Sequence, residues 1–122
     1  RAWCEAEDVA THWQAIASAN WLATAQFVAT ALDDGVLVDI GSTTSDLIAL
    51  RGGRVAVAGR DDAARLGSGE LVYHGVVRTP LCALGPRVSF GGRSVNVMNE
   101  FFATSADVYR LTGELDPAHD LQ

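Results

Sequence analysis

Hydrophobic residues in the first quarter of the chain recur near helical spacing. Residues 7–32 are rich in alanine and predict one long helix that packs along a single stripe. The stripe consists of Val9, Trp13, Ile16, Asn20, Thr24, Phe27 and Ala31. Asp33-Asp34-Gly35 then ends the helix, because two acids and a glycine favour a turn.

Three apolar runs follow the predicted helix. Residues 36–40 are continuously apolar except for Asp39, which is typical of a strand covered on both faces and central in its sheet. Residues 46–50 and 54–58 are joined by Gly52-Gly53, which suits a type I′ hairpin turn because both central residues need positive φ. The three runs predict an antiparallel meander.

The remaining chain predicts shorter elements. Residues 60–66 begin with acids, which favour the positive end of a helix dipole, and predict a short helix. Residues 88–90 and 94–97 flank a second glycine pair and predict another hairpin. Residues 99–111 predict a last helix, with an asparagine as its N-cap and a glycine just past its end.

These elements place the chain in the α/β class, as a mixed sheet led by the meander and flanked by helices. At 122 residues the chain is about the size of one domain. We divide it into residues 1–35, the long helix, and residues 36–122, the lobe that carries the meander. Because the first residue is arginine and a helical pattern is running by residue 7, we expect a piece of a longer chain.

Composition and charge exclude several classes of function. The chain is 48% hydrophobic and 20% charged, as in a globular protein, and its net charge of −6 with scattered arginines argues against a nucleic-acid partner. No apolar run approaches the roughly 20 residues that a membrane helix needs. Cys4 and Cys82 lie far apart with no metal-binding spacing, so we expect a reducing, cytoplasmic location. The oligomeric state stays open.

The spacing with chemical content is Asp39-x-Gly41-x-Thr43-x-x-Asp46, at the turn between the first two predicted strands. Gly41 lets the backbone approach a ligand, and successive N–H groups in such a turn form a nest for an anion such as phosphate. Asp39 is the candidate catalytic carboxylate and Mg²⁺ ligand, and Asp46 is the candidate for orienting hydroxyls or acting on a second metal-bound water. The hydroxyls that would assist the nest belong to Ser42, Thr43 and Thr44.

The alternative is an ordinary hairpin that uses glycine, serine and threonine only for turn geometry, with Asp39 accepting backbone hydrogen bonds. An unpaired carboxylate in an apolar central strand would be costly, which favours the phosphate site. We adopt the phosphate interpretation for that reason.

At these residues the chain resembles a known family. The motif is similar to the first phosphate motif of the actin-like superfamily, and Val38-Asp-Ile-Gly-Ser-Thr-Thr-Ser-Asp-Leu47 resembles its hydantoinase A/oxoprolinase branch. Three further segments resemble one subgroup of that family, the enzymes of methanofuran assembly. They are Ala19-Asn-Trp21, Gly69-Glu-Leu-Val-Tyr-His-Gly-Val-Val-Arg-Thr-Pro80 and Asn99-Glu-Phe-Phe-Ala-Thr-Ser-Ala-Asp107.

The resemblance implies an actin-like, ribonuclease H-like lobe whose partner lobe precedes residue 1. It also implies a transferase that joins an aminomethylfuran diphosphate to the phenol oxygen of γ-glutamyltyramine, with Mg²⁺ and release of diphosphate. For this reaction Arg78, beside a stiffening proline, is a candidate phosphate ligand. Glu100 is the candidate catalytic group for the phenol proton, with Asp107 as its alternative. All three side chains can also be read as ordinary surface or helix-start residues.

Two other functions stay open. The same loop would bind ATP in an ATP-dependent enzyme that opens hydantoin or oxoproline rings. The chain could also be a noncatalytic actin-like module that binds nucleotide or serves in assembly. Phe101-Phe102 is predicted to pack in the interior, with stacking on an aromatic substrate as the alternative.

Overall fold

The computed structural model describes residues 4–17 and 19–119. The helices and strands of the described residues are α1 (Val9–Ala17), α2 (Asn20–Val28), β1 (Gly35–Ile40), β2 (Ser45–Arg51), β3 (Arg54–Val55), α3 (Asp62–Ser68), β4 (Leu71–Val72), β5 (Arg87–Phe90), β6 (Arg93–Asn96) and α4 (Ser105–Thr112). The mixture of sheet and helix confirms the α/β class. The actin-like architecture and the division at residue 35 stay predictions.

The chain forms two compact units. The first lies within Arg1–Asp39 and Asp46–Val72, and the second lies within Ile40–Ser45 and Tyr73–Gln122. The first unit therefore carries α1 to α3 with most of the main sheet, and the second carries the turn after β1, the β5–β6 hairpin and α4.

Strand β2 is the centre of the main sheet. It is hydrogen-bonded to β1 and to β3, and β4 also pairs with it. The β2–β3 pair is antiparallel, with Leu50 opposite Val55 and Arg51 opposite Arg54. Its turn uses Gly52 and Gly53 at φ values of 56° and 66°, which confirms the predicted hairpin and the reason for two glycines.

The core of the first unit lies between α2 and the sheet. Trp21, Ala25 and Ala29 recur at helical spacing and pack against Ile48 and Leu50 of β2. Two alanines let the helix backbone come close to the sheet, and complete burial of a side chain such as Ile48 contributes about 1.5–3 kcal/mol. This face is different from the predicted stripe. The predicted stripe was wrong, because it includes Phe27, whose side chain is 76% exposed.

The prediction of a single long helix over residues 7–32 was also wrong, because two helices, α1 and α2, occupy this part of the chain. Ala19 separates α1 from α2 with φ −122° and ψ 5°, outside the helical region. Side chains of α1 at positions 9–13, 16 and 17 are exposed, so no buried face of those residues keeps α1 in line with α2. Of these two helices, α2 packs on the sheet through its buried residues.

Strand β1 is an edge strand among the described residues, not the central strand that its apolar sequence predicts. Leu37 packs against the core, whereas Val36, Val38 and Ile40 on the other face are exposed. Continuous apolarity indicates that both faces are covered, and the described residues cover only one.

The second unit contains the predicted hairpin and a shorter last helix. Val88 pairs with Val95 in the β5–β6 hairpin, whose turn glycines have φ values of 56° and 73°, as predicted. Helix α4 begins at Ser105 instead of residue 99, because Thr104 is the N-cap of the helix. The backbone N–H of Thr104 donates a hydrogen bond to the Asp107 carboxylate at 2.7 Å, as in a capping box. Gly113 ends the helix in the left-handed conformation, as predicted.

The later start of α4 changes the surroundings of the residues before it. Glu100 lies in a non-helical segment, and Phe101 and Phe102 are 83% and 78% exposed, so the expectation that they pack in the interior was wrong.

No described helix combines the length and apolarity needed to cross a membrane.

Candidate functional site

The turn at residues 41–44, here called the loop, is closed by a hydrogen bond. The Gly41 N–H donates to the Thr44 carbonyl at 2.8 Å. Ser42 and Thr43 at its tip are exposed, and their hydroxyl oxygens lie 3.5 Å apart. Within the described residues, the N–H groups of Ser42 and Thr43 donate no hydrogen bond. These two donors remain available to an anion.

The carbonyl groups of the loop are held by a second segment of the same unit. Val76 N–H donates to the Gly41 carbonyl at 3.0 Å, and Val77 and Arg78 N–H donate to the Ser42 carbonyl at 3.1 and 2.8 Å. Because these carbonyls are satisfied by protein, the loop backbone is fixed before any ligand binds. Such prior ordering lowers the entropic cost of binding.

The contact between this segment and the loop requires glycine at position 75. A Cβ atom on Gly75 would lie 2.5 Å from Ser42 C, 2.5 Å from Thr43 N and 2.6 Å from the Gly41 carbonyl oxygen. Real Cβ atoms do not approach backbone atoms this closely. Any larger residue would push the loop away.

A buried threonine closes the turn that begins at Gly75. The Thr79 hydroxyl accepts a hydrogen bond from the Gly75 N–H and donates one to the Gly75 carbonyl, each at 2.8 Å. Thr79 is 3% exposed, so loss of this hydroxyl would leave buried polar groups unpaired. We call residues 75–79 the brace.

The start of α4 is attached to the brace. Ser105 N–H donates to the Thr79 carbonyl at 2.9 Å, and Ala106 N–H donates to the Val77 carbonyl at 3.2 Å. The Ser105 hydroxyl donates to the Gly75 carbonyl at 3.2 Å. The first amide groups of α4 therefore stabilise the brace, which in turn holds the loop.

The two acids of the motif belong to the first unit and have different surroundings. Asp39 is exposed near the end of the edge strand β1 and makes no side-chain hydrogen bond or ion pair within the described chain. The expectation of a costly carboxylate in a central strand was therefore wrong, and burial of Asp39 gives no support to a phosphate site. Asp46 forms an ion pair with Arg65, at 2.7 Å between Oδ1 and Nη2. The proposed role of Asp46 toward loop hydroxyls or metal-bound water stays a prediction, with one carboxylate oxygen engaged by arginine.

Arg65 is the most deeply buried cation among the described residues, at 1% exposure. Its guanidinium lies 3.8 Å above the ring centroid of Trp21, and its Nη2 also donates to the Glu70 carbonyl at 3.2 Å. Its Nε has no hydrogen-bond partner in the described part of the protein. The ion pair and the aromatic ring offset the cost of this burial.

Glu70 holds the segment that precedes α3. Its carboxylate accepts the N–H groups of Ala58 at 2.7 Å and Gly59 at 2.9 Å. Partial burial raises the pKa of Glu70, but these hydrogen bonds, with those of Ser68 and the charge of Arg65, outweigh it and lower the pKa below its ordinary value. Glu70 is therefore a carboxylate with a structural role.

The other predicted site residues are only partly brought together. Arg78 is exposed, and its backbone N–H bond to the loop places it beside Ser42. Glu100 is exposed, and nothing among the described contacts joins its side chain to the loop. Asp107 is engaged by Thr104 and by Arg110 at 2.6 Å. Hydrogen bonds from Thr104 lower the pKa of Asp107, despite partial burial, and this makes it a weaker base.

Sequence reasoning missed Gly75 and Thr79 of the brace, and Ser105, which is hydrogen-bonded to it. Each has a small side chain, and each lies in a segment that carried the resemblance to one subgroup. Their place in these segments was the only sequence feature that could have pointed to them. Their role depends on tertiary contacts, which spacing along the chain does not reveal.

A magnesium ion is compatible with these residues. No group of three or more His, Cys, Asp or Glu side chains gathers in the described chain. Mg²⁺ does not need such a group, since it keeps several waters and binds through one or two carboxylates together with phosphate oxygens. An exposed, unpaired carboxylate such as Asp39 suits that mode of binding.

Comparison with known proteins defines the class. The hydantoinase/oxoprolinase family matches residues 3–121, and the chain belongs to this family. The family predicted from the loop motif is thereby confirmed.

Two curated relatives carry the same name, (4-{4-[2-(γ-L-glutamylamino)ethyl]phenoxymethyl}furan-2-yl)methanamine synthase. The protein from Methanocaldococcus jannaschii is 39% identical over 103 residues, which cover 84% of this chain and 31% of the relative. The protein from Methanococcus vannielii is 40% identical over 85 residues, which cover 69% of this chain and 38% of the relative. The matched part thus spans about a third of either relative's length.

Proposed function

We propose that this chain supplies the diphosphate-binding part of a transferase that forms the ether named in its two relatives. The donor would be an aminomethylfuran diphosphate, and the acceptor would be the phenol of γ-glutamyltyramine. The similarity to two synthases at 39% and 40% identity supports this reaction. The rest of the enzyme would come from sequence outside these residues, and a cytoplasmic location would suit it.

One observation carries the proposal: the loop is braced from behind and presents unbonded N–H groups at its exposed tip. The brace satisfies the carbonyls of Gly41 and Ser42 and leaves the amides of Ser42 and Thr43 to a ligand. A nest of backbone donors with nearby hydroxyls binds phosphate without a lysine. Arg78, whose backbone is bonded to Ser42, would add a guanidinium for the same group.

Asp39 would hold Mg²⁺ at the end of β1. The bound ion would offset negative charge on the departing diphosphate. Asp39 lies two residues before the loop in the sequence, and its carboxylate has no competing partner among the described residues. Its exposed position is what a ligand to a partly hydrated cation needs.

The bond changes follow from the two substrates. The phenol oxygen forms a bond to the furan methylene carbon, the bond from that carbon to the diphosphate oxygen breaks, and diphosphate leaves. The phenol proton passes to a base, for which Glu100 stays the candidate. The loop amides and Arg78 would stabilise the negative charge that grows on diphosphate during cleavage, and this stabilisation would accelerate the step.

The test is a substrate comparison with the full-length protein. It should release diphosphate and form the aryl ether when given the furan diphosphate, γ-glutamyltyramine and Mg²⁺. A parallel assay with ATP and a cyclic amide, hydantoin or oxoproline, should give no turnover.

Two outcomes would contradict the proposal. Turnover of the cyclic amide with ATP hydrolysis, and none of the furan diphosphate, would assign the protein to the hydrolase chemistry. Absence of both activities, in folded protein that also binds no diphosphate, would leave a noncatalytic module.

A further inference from the structure

Arg87 is fixed in position by neutral groups. Its Nε donates to the Ser94 hydroxyl at 3.0 Å, its Nη2 to the Ser94 carbonyl at 2.7 Å, and its Nη1 to Asn96 Oδ1 at 2.6 Å. Asn96 lies on β6 directly opposite Arg87 on β5, and Ser94 lies two residues away on β6, opposite Ser89. These bonds fix the guanidinium without neutralising its charge.

A guanidinium has five N–H donors, and these contacts engage one on each nitrogen. Two donors remain, one on each terminal nitrogen. No acidic side chain pairs with Arg87 in the part of the chain that the structure describes. A positioned cation that lacks a protein anion is suited to an anionic ligand.

Arg87 lines an open cavity of about 710 Å³ in the second unit, where Arg87, Asn96 and Asn99 are exposed. The other polar side chains of its wall are Asn96, Asn99 and Cys82. Gly85, Pro86 and Val97 complete it, and the hydrogen bond from Val97 N–H to the Pro86 carbonyl, at 3.0 Å, joins two sides of the wall. The described lining carries one positive charge and no negative charge.

We infer that this cavity is a carboxylate subsite in which Arg87 selects the α-carboxylate of the γ-glutamyl group on the phenolic substrate. The inference rests on the proposed function, because that reaction supplies the ligand. Its substrates carry two different anionic ends, a diphosphate on the furan and a carboxylate on the glutamyl group. The loop is assigned to the first, so the second needs its own cation, and a planar guanidinium matches a planar carboxylate.

The amide side chains suit the same ligand. Asn99 lines the cavity and has an NH₂ group and a carbonyl oxygen, able to bind the carboxylate and the ammonium group on the same glutamyl carbon. Asn96 holds Arg87 through its oxygen, and it therefore acts as a positioning residue.

The test compares two acceptors with the full-length enzyme. One is γ-glutamyltyramine, and the other is 4-aminobutyryltyramine, which differs only by lacking the α-carboxylate. Arg87→Gln should raise KM for γ-glutamyltyramine about 10- to 100-fold, the loss typical of a charge-assisted hydrogen bond, and leave KM for the analogue unchanged. Arg87→Lys keeps the charge but loses the planar, two-donor geometry of guanidinium. Its KM for γ-glutamyltyramine should therefore lie between those of wild type and Arg87→Gln.

Arg93→Gln is the matched control, because Arg93 lies on the same hairpin, is exposed and does not line the cavity. It should leave both KM values unchanged. Equal changes for both acceptors in Arg87→Gln would mean that Arg87 only supports the hairpin, and this would overturn the inference. A higher KM for the furan diphosphate alone would assign the cavity to phosphate and would also overturn it.

Direct calorimetric titration of γ-glutamyltyramine separates this inference from the proposed reaction. Binding that is lost in Arg87→Gln would support the subsite even in a protein with no synthase turnover. Equal binding to wild type and Arg87→Gln, or no binding to either, would overturn the subsite even where turnover is observed.

Discussion

The Nη2 atom of Arg65 lies 2.7 Å from Oδ1 of Asp46, and this pair joins α3 to the strand that follows the loop. Arg65 is 1% exposed and Asp46 is 16% exposed. Another ion pair, Arg110 with Asp107, is similarly short at 2.6 Å, but its side chains are 33% and 43% exposed. The two pairs differ in burial much more than in geometry, so they should differ in energy.

Asp46→Asn should therefore destabilise the protein strongly. Removal of one partner leaves a buried guanidinium without its anion, which typically costs about 3–5 kcal/mol. Arg110→Gln should change the free energy of unfolding only slightly, because a solvated pair contributes little. Urea unfolding of the full-length variants, with hydrogen exchange in α3 as a local readout, measures both. Equal effects of the two substitutions would contradict the assigned difference.

Gly75→Ala should disable the loop. The added Cβ would meet backbone atoms of Ser42 and Thr43 at 2.5 Å, and neither backbone atom can move without shifting the loop. We expect diphosphate affinity and turnover to fall about 10-fold or more, since loss of a positioned anion donor commonly costs this much.

Gly67→Ala provides the control for this glycine substitution. A Cβ at Gly67, inside α3, meets no atom within 4 Å. Replacement of a helical glycine by alanine should raise stability, by up to about 1 kcal/mol, and leave diphosphate binding unchanged. Similar diphosphate binding in Gly75→Ala and Gly67→Ala would show that the brace does not shape the loop.

Glu70 should make stability depend on pH in the acid range. Its folded-state pKa lies below the ordinary value of 4.5, so the folded protein favours the ionised form. Its contribution is complete above about pH 4.5 and is lost as the pH falls through the lower folded-state pKa. Glu70→Gln should cost about 1–3 kcal/mol at neutral pH and progressively less toward acid. A cost that stays constant with pH would contradict this origin.

Local chemistry explains which elements were predictable from sequence. Both glycine-pair hairpins were identified because positive φ is a property of the residues themselves. Gly113 was identified as the end of α4 for the same reason. The start of α4 was misplaced because Thr104 competes with Asn99 as N-cap, and the Asp107 carboxylate decides in favour of Thr104.

Tertiary packing explains what was missed. Periodicity selected the large apolar residues of α2, including Phe27, yet the helix packs through Trp21 and two alanines, because small side chains permit close approach to β2. The loop was found from motif spacing. The dependence of the loop on Gly75 was not predicted, because Gly75 and the loop residues come into contact only in the folded chain.

The central claim is that the braced loop binds diphosphate and that Asp39, two residues before the loop in the sequence, holds the Mg²⁺ that the diphosphate needs. The most direct measurement is calorimetric titration of diphosphate into the full-length protein, with and without Mg²⁺, for wild type and Asp39→Asn. We expect wild type to bind diphosphate with Mg²⁺ and much more weakly without it, and Asp39→Asn to lose the Mg²⁺-dependent part. Equal affinity in both proteins, with the same response to Mg²⁺, would contradict the account.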